Sequence, residues 1–389
     1  MDIDITRYRG REQAYVKHYF LGSYLQDLIH KVAGSYDHIV YVDGFSGPWQ
    51  SGDENFGDTS FAIALNALRS AKATWRNLGR NVKMTAHLVE MSKIAFRKLE
   101  SIPAKFPDIE VLPRQGNFVE LAEALAREIP KSAFVFLFID PKGWSVNLED
   151  IKGLLTLPNC EIVFNFMFDF INRAASMKDP AIVKSIDDFI TVEHWRNKLI
   201  AAIDEEKPDR EAILVDAFKT SLADAGGYKY VAATPILRPL RDRTLYYLIY
   251  ATRKPHGIEV FRSCQIETLR TQSAIRGATK LAASTLVSGQ SEAFNFNQMT
   301  NDQTEEFLKT EKESARNELY HMTPFAPDGI LYGDIWPLIL SKHAIRKTDL
   351  NILAAEARRS GTITVKNWEP RHRVPSNHYF LQRVNSLIQ

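Results

Sequence analysis

The run AFVFLFI, residues 133–139, is apolar at every position and ends on the carboxylate of Asp140. A strand with one wet face alternates polar and apolar residues, whereas a strand apolar throughout must be covered on both faces. That favours a sheet packed between two layers of helix, which is how parallel sheets are built. Four more β-rich runs occur: HIVYVD (38–43), TAHLVE (85–90), IEVL (109–112) and EIVFNFM (161–167). Before and between them, residues 12–33, 60–68, 92–100 and 118–128 carry apolar residues at spacings of three and four, the mark of amphipathic helices. Strand, turn and helix in repetition predict right-handed βαβ units and a mostly parallel α/β sheet.

Residues 174–226 read as a polar, helical insertion at one edge of the sheet. Residues 228–236 and 245–252 read as two more strands, joined by the short link LRPLRDRT (237–244). So short a link permits an antiparallel pair but no parallel crossover. The first domain is therefore expected to span residues 1–264, Rossmann-like with its last strand antiparallel. Residues 265–298 are rich in Ala, Ser, Thr, Asn and Gln and are expected to be a linker, with 304–321 as a connector helix. The last module, 330–389, reads as two helices, 330–340 and one capped by Thr348 and Gly361, followed by a basic β-hairpin. That is the winged-helix pattern.

Apolar residues at 45% and charged residues at 25% exclude a mainly disordered chain. Two cysteines, Cys160 and Cys264, are too few for a disulfide framework or a structural zinc site. His343, His372 and His378 lack ligand spacing with any acid or thiol, so no metal is expected. The apolar runs are strand-sized and MDIDITRYRG has no basic-then-apolar signal region, so a cytoplasmic protein without a membrane span is expected. The net charge is +2, but residues 330–389 hold nine Lys/Arg against four Asp/Glu. A basic module on a mildly acidic body points to nucleic acid, or to nothing more than a solvated surface.

In an open α/β sheet, ligands bind beyond the carboxyl ends of the strands, near the point where the strand order reverses. The first strand ends in Asp43-Gly44-Phe45-Ser46-Gly47-Pro48, whose glycines permit a sharp turn and close backbone approach. The second ends on Glu90, placed to accept hydrogen bonds from ribose hydroxyls or to stabilise the helix that starts near Ser92. Glu90 lies 43 residues after Gly47, whereas a dinucleotide fingerprint spaces these features by roughly 20, which disfavours a nicotinamide oxidoreductase. The third leads to Asn117 and Phe118, an amide and a ring suited to an adenine, or a plain N-cap. The fourth ends in Asp140-Pro141-Lys142, where a carboxylate tips an apolar strand and needs water, ligand or backbone donors to receive it. Arg173, Arg253, Lys254 and His256 also follow strand ends and are candidates for the cleft.

These four tips, in this order, resemble the class I S-adenosylmethionine-dependent methyltransferase fold. More narrowly, the chain is similar to the three-Cys-motif partner (TcmP) family, through an N-terminal helix with Lys17 and Tyr24, YVDGFSGP, FIDPKGW, EIVFNFMFDFINR and LYYLIYATRKP. The resemblance covers about residues 11–264. It implies S-adenosylmethionine as cofactor, held by Asp43, Gly44, Ser46, Gly47, Glu90, Asn117 and Phe118, with Asp140, Pro141 and Lys142 on the acceptor side. It also implies a partner protein with a three-cysteine, radical-SAM-like motif. Two departures stand out. Trp49 occupies a position that is usually glycine in the family, and Lys142 and Gly143 replace the proline and aromatic with which base-amine methyltransferases grip a flipped base, Trp144 lying one residue on. Two readings follow: a methyltransferase acting on nucleic acid or a modified nucleotide, or a catalytically silent binding subunit on the same fold. In the last module, Lys366, Arg371, His372 and Arg373 on the wing are expected to contact phosphate, with Asn351 the one base-reading amide on the second helix. The same module could instead dock a protein.

Overall fold

The computed structural model describes residues 5–47, 56–204, 210–288 and 293–384. The chain divides into two units, Met1–Gly257 and Ile258–Gln389. In the first unit the elements run α1 Glu12–Val32, β1 His38–Asp43, α2 Ser60–Asn77, β2 Lys83–Glu90, α3 Lys93–Leu99, α4 Ile102–Lys105, β3 Glu110–Gln115, α5 Phe118–Glu128 and β4 Phe134–Ile139. There follow α6 Lys152–Leu155, β5 Cys160–Phe166, α7 Phe168–Ala174, α8 Pro180–Phe189, α9 Trp195–Asp204, α10 Arg210–Gly226, β6 Tyr230–Leu237 and β7 Thr244–Thr252.

The seven strands form one sheet in the order β3-β2-β1-β4-β5-β7-β6. β1 to β5 are parallel, and β7 runs antiparallel to both β5 and β6. The order reverses between β1 and β4, so the crevice beyond Asp43 and Asp140 is the switch point where α/β folds bind ligands. Every residue of β4 and β5 is buried, Glu161 and Asn165 of β5 included, while burial along the edge strand β6 alternates.

One face of the sheet is covered by α1, whose Tyr24 packs 5.7 Å from Phe136 and 5.4 Å from Tyr250 (ring centroids). The other holds an aromatic cluster in which Phe218 lies 4.9 Å from Phe164, 4.8 Å from Phe166 and 4.7 Å from Phe189. Through Phe189 and Phe218, the 174–226 insertion is part of the main core.

The second unit contains most of α11 Pro255–Ser288, then α12 Ala293–Met322, β8 Ile330–Leu331, α13 Tyr332–Lys342, α14 Lys347–Arg359, β9 Ile363–Lys366 and β10 Phe380–Arg383. Its antiparallel sheet has the order β8-β10-β9. The expected linker over 265–298 is corrected here: the helix runs unbroken to Ser288. Its buried face carries Gln265, Thr268, Gln272 and Arg276 among Ile266, Leu269 and Ile275, so the apolar period is diluted by polar residues that are nonetheless inside. The unit boundary accordingly falls after Gly257, within the first turn of α11, and not at 264. Arg346, not Thr348, is the N-cap of α14, with Asp349 accepting its backbone N–H at 3.2 Å. Among the described residues no helix is long and apolar enough to cross a membrane.

Candidate functional site

Asp43 ends β1 fully buried, and its oxygens are spent inside the protein. Oδ1 accepts the Phe45 amide at 3.0 Å; Oδ2 accepts the Tyr41 hydroxyl at 3.1 Å and Ser60 at 2.8 Å. Burial raises its carboxyl to about 6, against these bonds. Ser46 is likewise internal: its hydroxyl donates to the Asp43 carbonyl at 3.1 Å and its amide to the Val89 carbonyl at 2.8 Å. Asp43 and Ser46 therefore brace the turn. Gly44 lies against Phe118, where a Cβ would stand 3.0 Å from the ring. Phe118 is 2% exposed and belongs to the core, so it forms the floor beneath the turn and not an open stacking face. Gly47 is partly exposed; Pro48 and Trp49 lie outside the described residues.

Glu90 ends β2 and is 6% exposed. Its Oε1 accepts the Ser92 amide at 2.6 Å, which couples it to the start of α3. Among the described residues Oε2 has no hydrogen-bond partner, so the carboxylate retains an acceptor for a ligand hydroxyl. Asn117 is the N-cap of α5, its side-chain oxygen accepting the Val119 amide at 3.0 Å. The simple cap role is thus the observed one.

Asp140, just beyond β4, forms a half-buried cluster with Lys17 and Asn165. Lys17 Nζ pairs with Oδ2 and the Asn165 amide donates to Oδ1. Burial alone would raise the Asp140 carboxyl, but the Lys17 charge and the Asn165 bond outweigh it and hold it below the usual carboxylate range. Among the described residues Asn165 Oδ1 is buried without a hydrogen-bond partner. Beside Lys17, the His18 ring lies 2.9 Å from the Tyr8 hydroxyl, and burial, reinforced by Lys17, pushes its imidazole down to about 3, leaving it neutral. Pro141 is buried and Lys142 exposed. Trp144 donates its indole N–H to Ser185 of the insertion at 2.8 Å.

The fold explains how Lys17 arrives. Glu161 and Asn165, four apart on β5, point to the same face of the sheet, the face that α1 covers. Lys17 and Tyr24 are seven apart, two helical turns, and share a face of α1. Tyr24 donates to Glu161 at 2.8 Å near the start of β5, so α1 runs against the strands and delivers Lys17 to their carboxyl ends. Neither Lys17 nor Asn165 was among the expected site residues. The available signal was a lone amide inside the apolar run IVFNF.

Of the other candidates, Arg173 stands on α7, just beyond the carboxyl end of β5. Arg253, Lys254 and His256 do not share that edge. Because β7 is reversed, they emerge on the opposite side, where Arg253 donates to the carbonyls of Leu157 (2.9 Å), Leu155 and Gly226. Lys366, Arg371 and Arg373 are exposed on or beside the β9–β10 hairpin. Asn351 is tied down, its Oδ1 accepting the Tyr332 hydroxyl at 2.6 Å. Among the described residues no group of three or more His, Cys, Asp or Glu could hold a metal ion.

The α/β sheet thus carries a braced glycine turn, an acid at the tip of the neighbouring strand and a polar cluster across the switch point. No family model and no curated protein matches the sequence. Among solved structures, protein LPL1258 of Legionella pneumophila str. Philadelphia 1, of family DUF519, is 13% identical, with a TM-score of 0.39 over 65% of this chain and 91% of its own. A loganic acid methyltransferase solved with SAH is 9% identical, with a TM-score of 0.31 over 79% of this chain and 92% of its own.

Proposed function

We propose that the first unit binds S-adenosylmethionine and transfers its methyl group to a nucleic acid or modified nucleotide, as a protein of the three-Cys-motif partner type. The observation that carries the cofactor assignment is Glu90: an acid at the tip of the strand beside the switch-point pair, one oxygen fixed by Ser92 and the other without a protein partner among the described residues. Ribose hydroxyls are donors and suit that oxygen. The group fits the residues present, with the backbone around Gly47 and Asn117 lining the same edge. When bound, S-adenosylmethionine would supply a methyl group on positively charged sulfur.

On the acceptor side, Asp140 acts through its neighbours. With its carboxyl held down and both oxygens engaged, it is a weak base, and it serves to fix Lys17 and Asn165. The unpartnered Asn165 Oδ1 is suited to receive an N–H of the methyl acceptor, and the exposed Lys142 to meet phosphate. The second unit, two long helices then strand, helix, helix, strand, strand with three-stranded order β8-β10-β9, supports a winged-helix reading in which Lys366, Arg371 and Arg373 track duplex phosphates. A partner protein would carry the cysteine-ligated cluster, because Cys160 and Cys264 are both buried in this chain and far apart in sequence.

Calorimetry with S-adenosylmethionine and with NAD tests the cofactor. S-adenosylmethionine should bind, and Glu90→Ala should weaken it at least about tenfold, the worth of one charge-assisted hydrogen bond. Binding of NAD alone, or an unchanged affinity in the variant, removes Glu90 from a ribose site. One observation favours the silent-subunit reading: both oxygens of Asp140 are already occupied. Transfer of a labelled methyl group to DNA or RNA, abolished by Asp140→Ala with cofactor affinity retained, decides for the enzyme. Cofactor binding without transfer decides for the subunit.

A further inference from the structure

We propose that Arg173, Arg238 and Arg243, gathered on buried Asp169 beside the exposed ring of Phe170, form a binding site for single-stranded nucleic acid. The proposal deepens the function proposed above and rests on its nucleic-acid acceptor, which it narrows to single strands.

Asp169 is 2% exposed, yet three guanidinium groups converge on it. Arg238 reaches Oδ2 at 2.7 Å, Arg243 reaches Oδ1 at 2.5 Å and Arg173 lies 3.5 Å from Oδ2. Their side chains remain 38%, 50% and 58% exposed, so each presents part of its donor fork to solvent. Asp169 takes one nitrogen of Arg173 and one of Arg243, and each of these guanidinium groups carries five N–H donors. Arg241 is exposed in the same turn, beside Asp242.

A phosphate that reaches this surface therefore meets arginines already held in place by the fixed acid, and their planar forks match phosphate oxygens. Phe170 supplies the second element. It is 50% exposed, and the Arg173 guanidinium lies 4.9 Å from its ring centroid. An exposed ring beside a basic cluster is the arrangement on which unpaired bases stack while the phosphates follow the charge. A duplex keeps its bases stacked on each other and offers no face to Phe170.

Position agrees with chemistry. Arg238 to Arg243 form the β6–β7 turn, and because β7 is reversed this turn lies at the carboxyl edge of β5, the edge that bears Asp140 and Asn165. From β4 the turn is two to three strand spacings away, roughly 10–15 Å along the sheet. A strand held there can present a base to the Asp140 cluster.

Fluorescence anisotropy of labelled oligothymidylate and oligouridylate with the full-length protein, from about 50 to 200 mM salt, tests the site. Arg173→Gln should flatten the log–log salt slope by about 0.7, and Arg238→Gln/Arg243→Gln by about 1.4. Phe170→Ala should weaken binding at least about fivefold with little change in slope. Arg173 and Phe170 are surface positions, so their variants stay informative if the double variant does not fold. Slopes equal to wild type in folded variants, displacement of the single strand by an equal amount of duplex, or uptake of phosphatidylserine vesicles in place of oligonucleotide would each overturn the site. Cofactor calorimetry on the same preparations separates the two proposals. Wild type that takes up no S-adenosylmethionine ends the methyltransferase reading, while the anisotropy by itself decides for or against the arginine cluster.

Discussion

Asp140 and Glu161 both meet α1, yet their protons are held in opposite senses. Asp140 has a cation, and its carboxyl is depressed. Glu161 has no cation: it accepts Tyr24 and Tyr250 at 2.8 Å and Thr252 at 2.9 Å, and burial, against those bonds, raises its carboxyl. The pH consequences differ in sign. The Asp140 contribution is present above the ordinary aspartate value, about 3.9, and is lost as pH falls through the depressed folded value. Stability linked to Glu161 is greatest below the ordinary glutamate value, about 4.3, and declines as pH rises through the raised folded value. Glu161→Gln keeps an acceptor for the hydroxyls and removes the titration. Its melting temperature relative to wild type is expected to climb from about pH 4 to neutrality; a constant difference would show that Glu161 titrates normally. At this scale the sequence revealed the tips but not their bonding. Glu90 and Asp140 stand at strand ends and could be read from the pattern. That Asp43 is consumed internally, or that Lys17 crosses 123 positions to Asp140, depends on packing that local sequence does not encode.

Helices and strands were the most legible level, because burial on both faces leaves an unbroken apolar run and capping leaves a residue such as Ser92 or Asn117. The failures have two causes. The antiparallel pair was evident from its short link, but reversal also exchanges the two ends of β7. The residues after it, Arg253 to His256, go to the far edge, and the arginine-rich turn before it comes to the edge of the site. In α11 the buried polar residues hid a helix whose Ala and Gln content is intrinsically favourable. The first turn of that helix packs tightly on the Glu161 cluster. A Cβ at Gly257 would lie 2.2 Å from the Tyr250 hydroxyl and 2.5 Å from Glu161 Oε1. Gly257→Ala is therefore expected to cost about 1–3 kcal/mol, as overpacking does, measured by urea unfolding. An unperturbed midpoint would mean that this turn can move off β7 freely.

Taken whole, the charge is unevenly spread: residues 1–257 hold 33 Lys/Arg and 33 Asp/Glu, residues 258–329 hold seven against ten, and residues 330–389 hold nine against four. If the second unit grips duplex phosphate, replacing Lys366, Arg371 and Arg373 with alanine should flatten the duplex salt slope by up to about 2.7. The single-strand slope should respond instead to Arg173, Arg238 and Arg243. A triple variant with the wild-type duplex slope would leave the module to protein docking. Two helices and a hairpin were legible in this module, whereas β8, two residues long, is below what any pattern can mark.

The position of α1 has a further consequence for how the first unit assembles. Its anchors are remote in the chain: Tyr24 to Glu161 across 137 positions, and Gln13, whose carbonyl accepts the Tyr246 hydroxyl, across 233. High contact order delays such contacts until loop closure is compensated by the rest of the sheet. On a chain made from its N-terminus, α1 emerges before every strand it packs on, and Lys17 stays open to solvent until α1 docks. A chain ended after α10 is expected to leave Lys17 reactive to amine-modifying reagents, while the full-length protein shields it. Equal shielding in both would place the docking of α1 ahead of the β6–β7 pair.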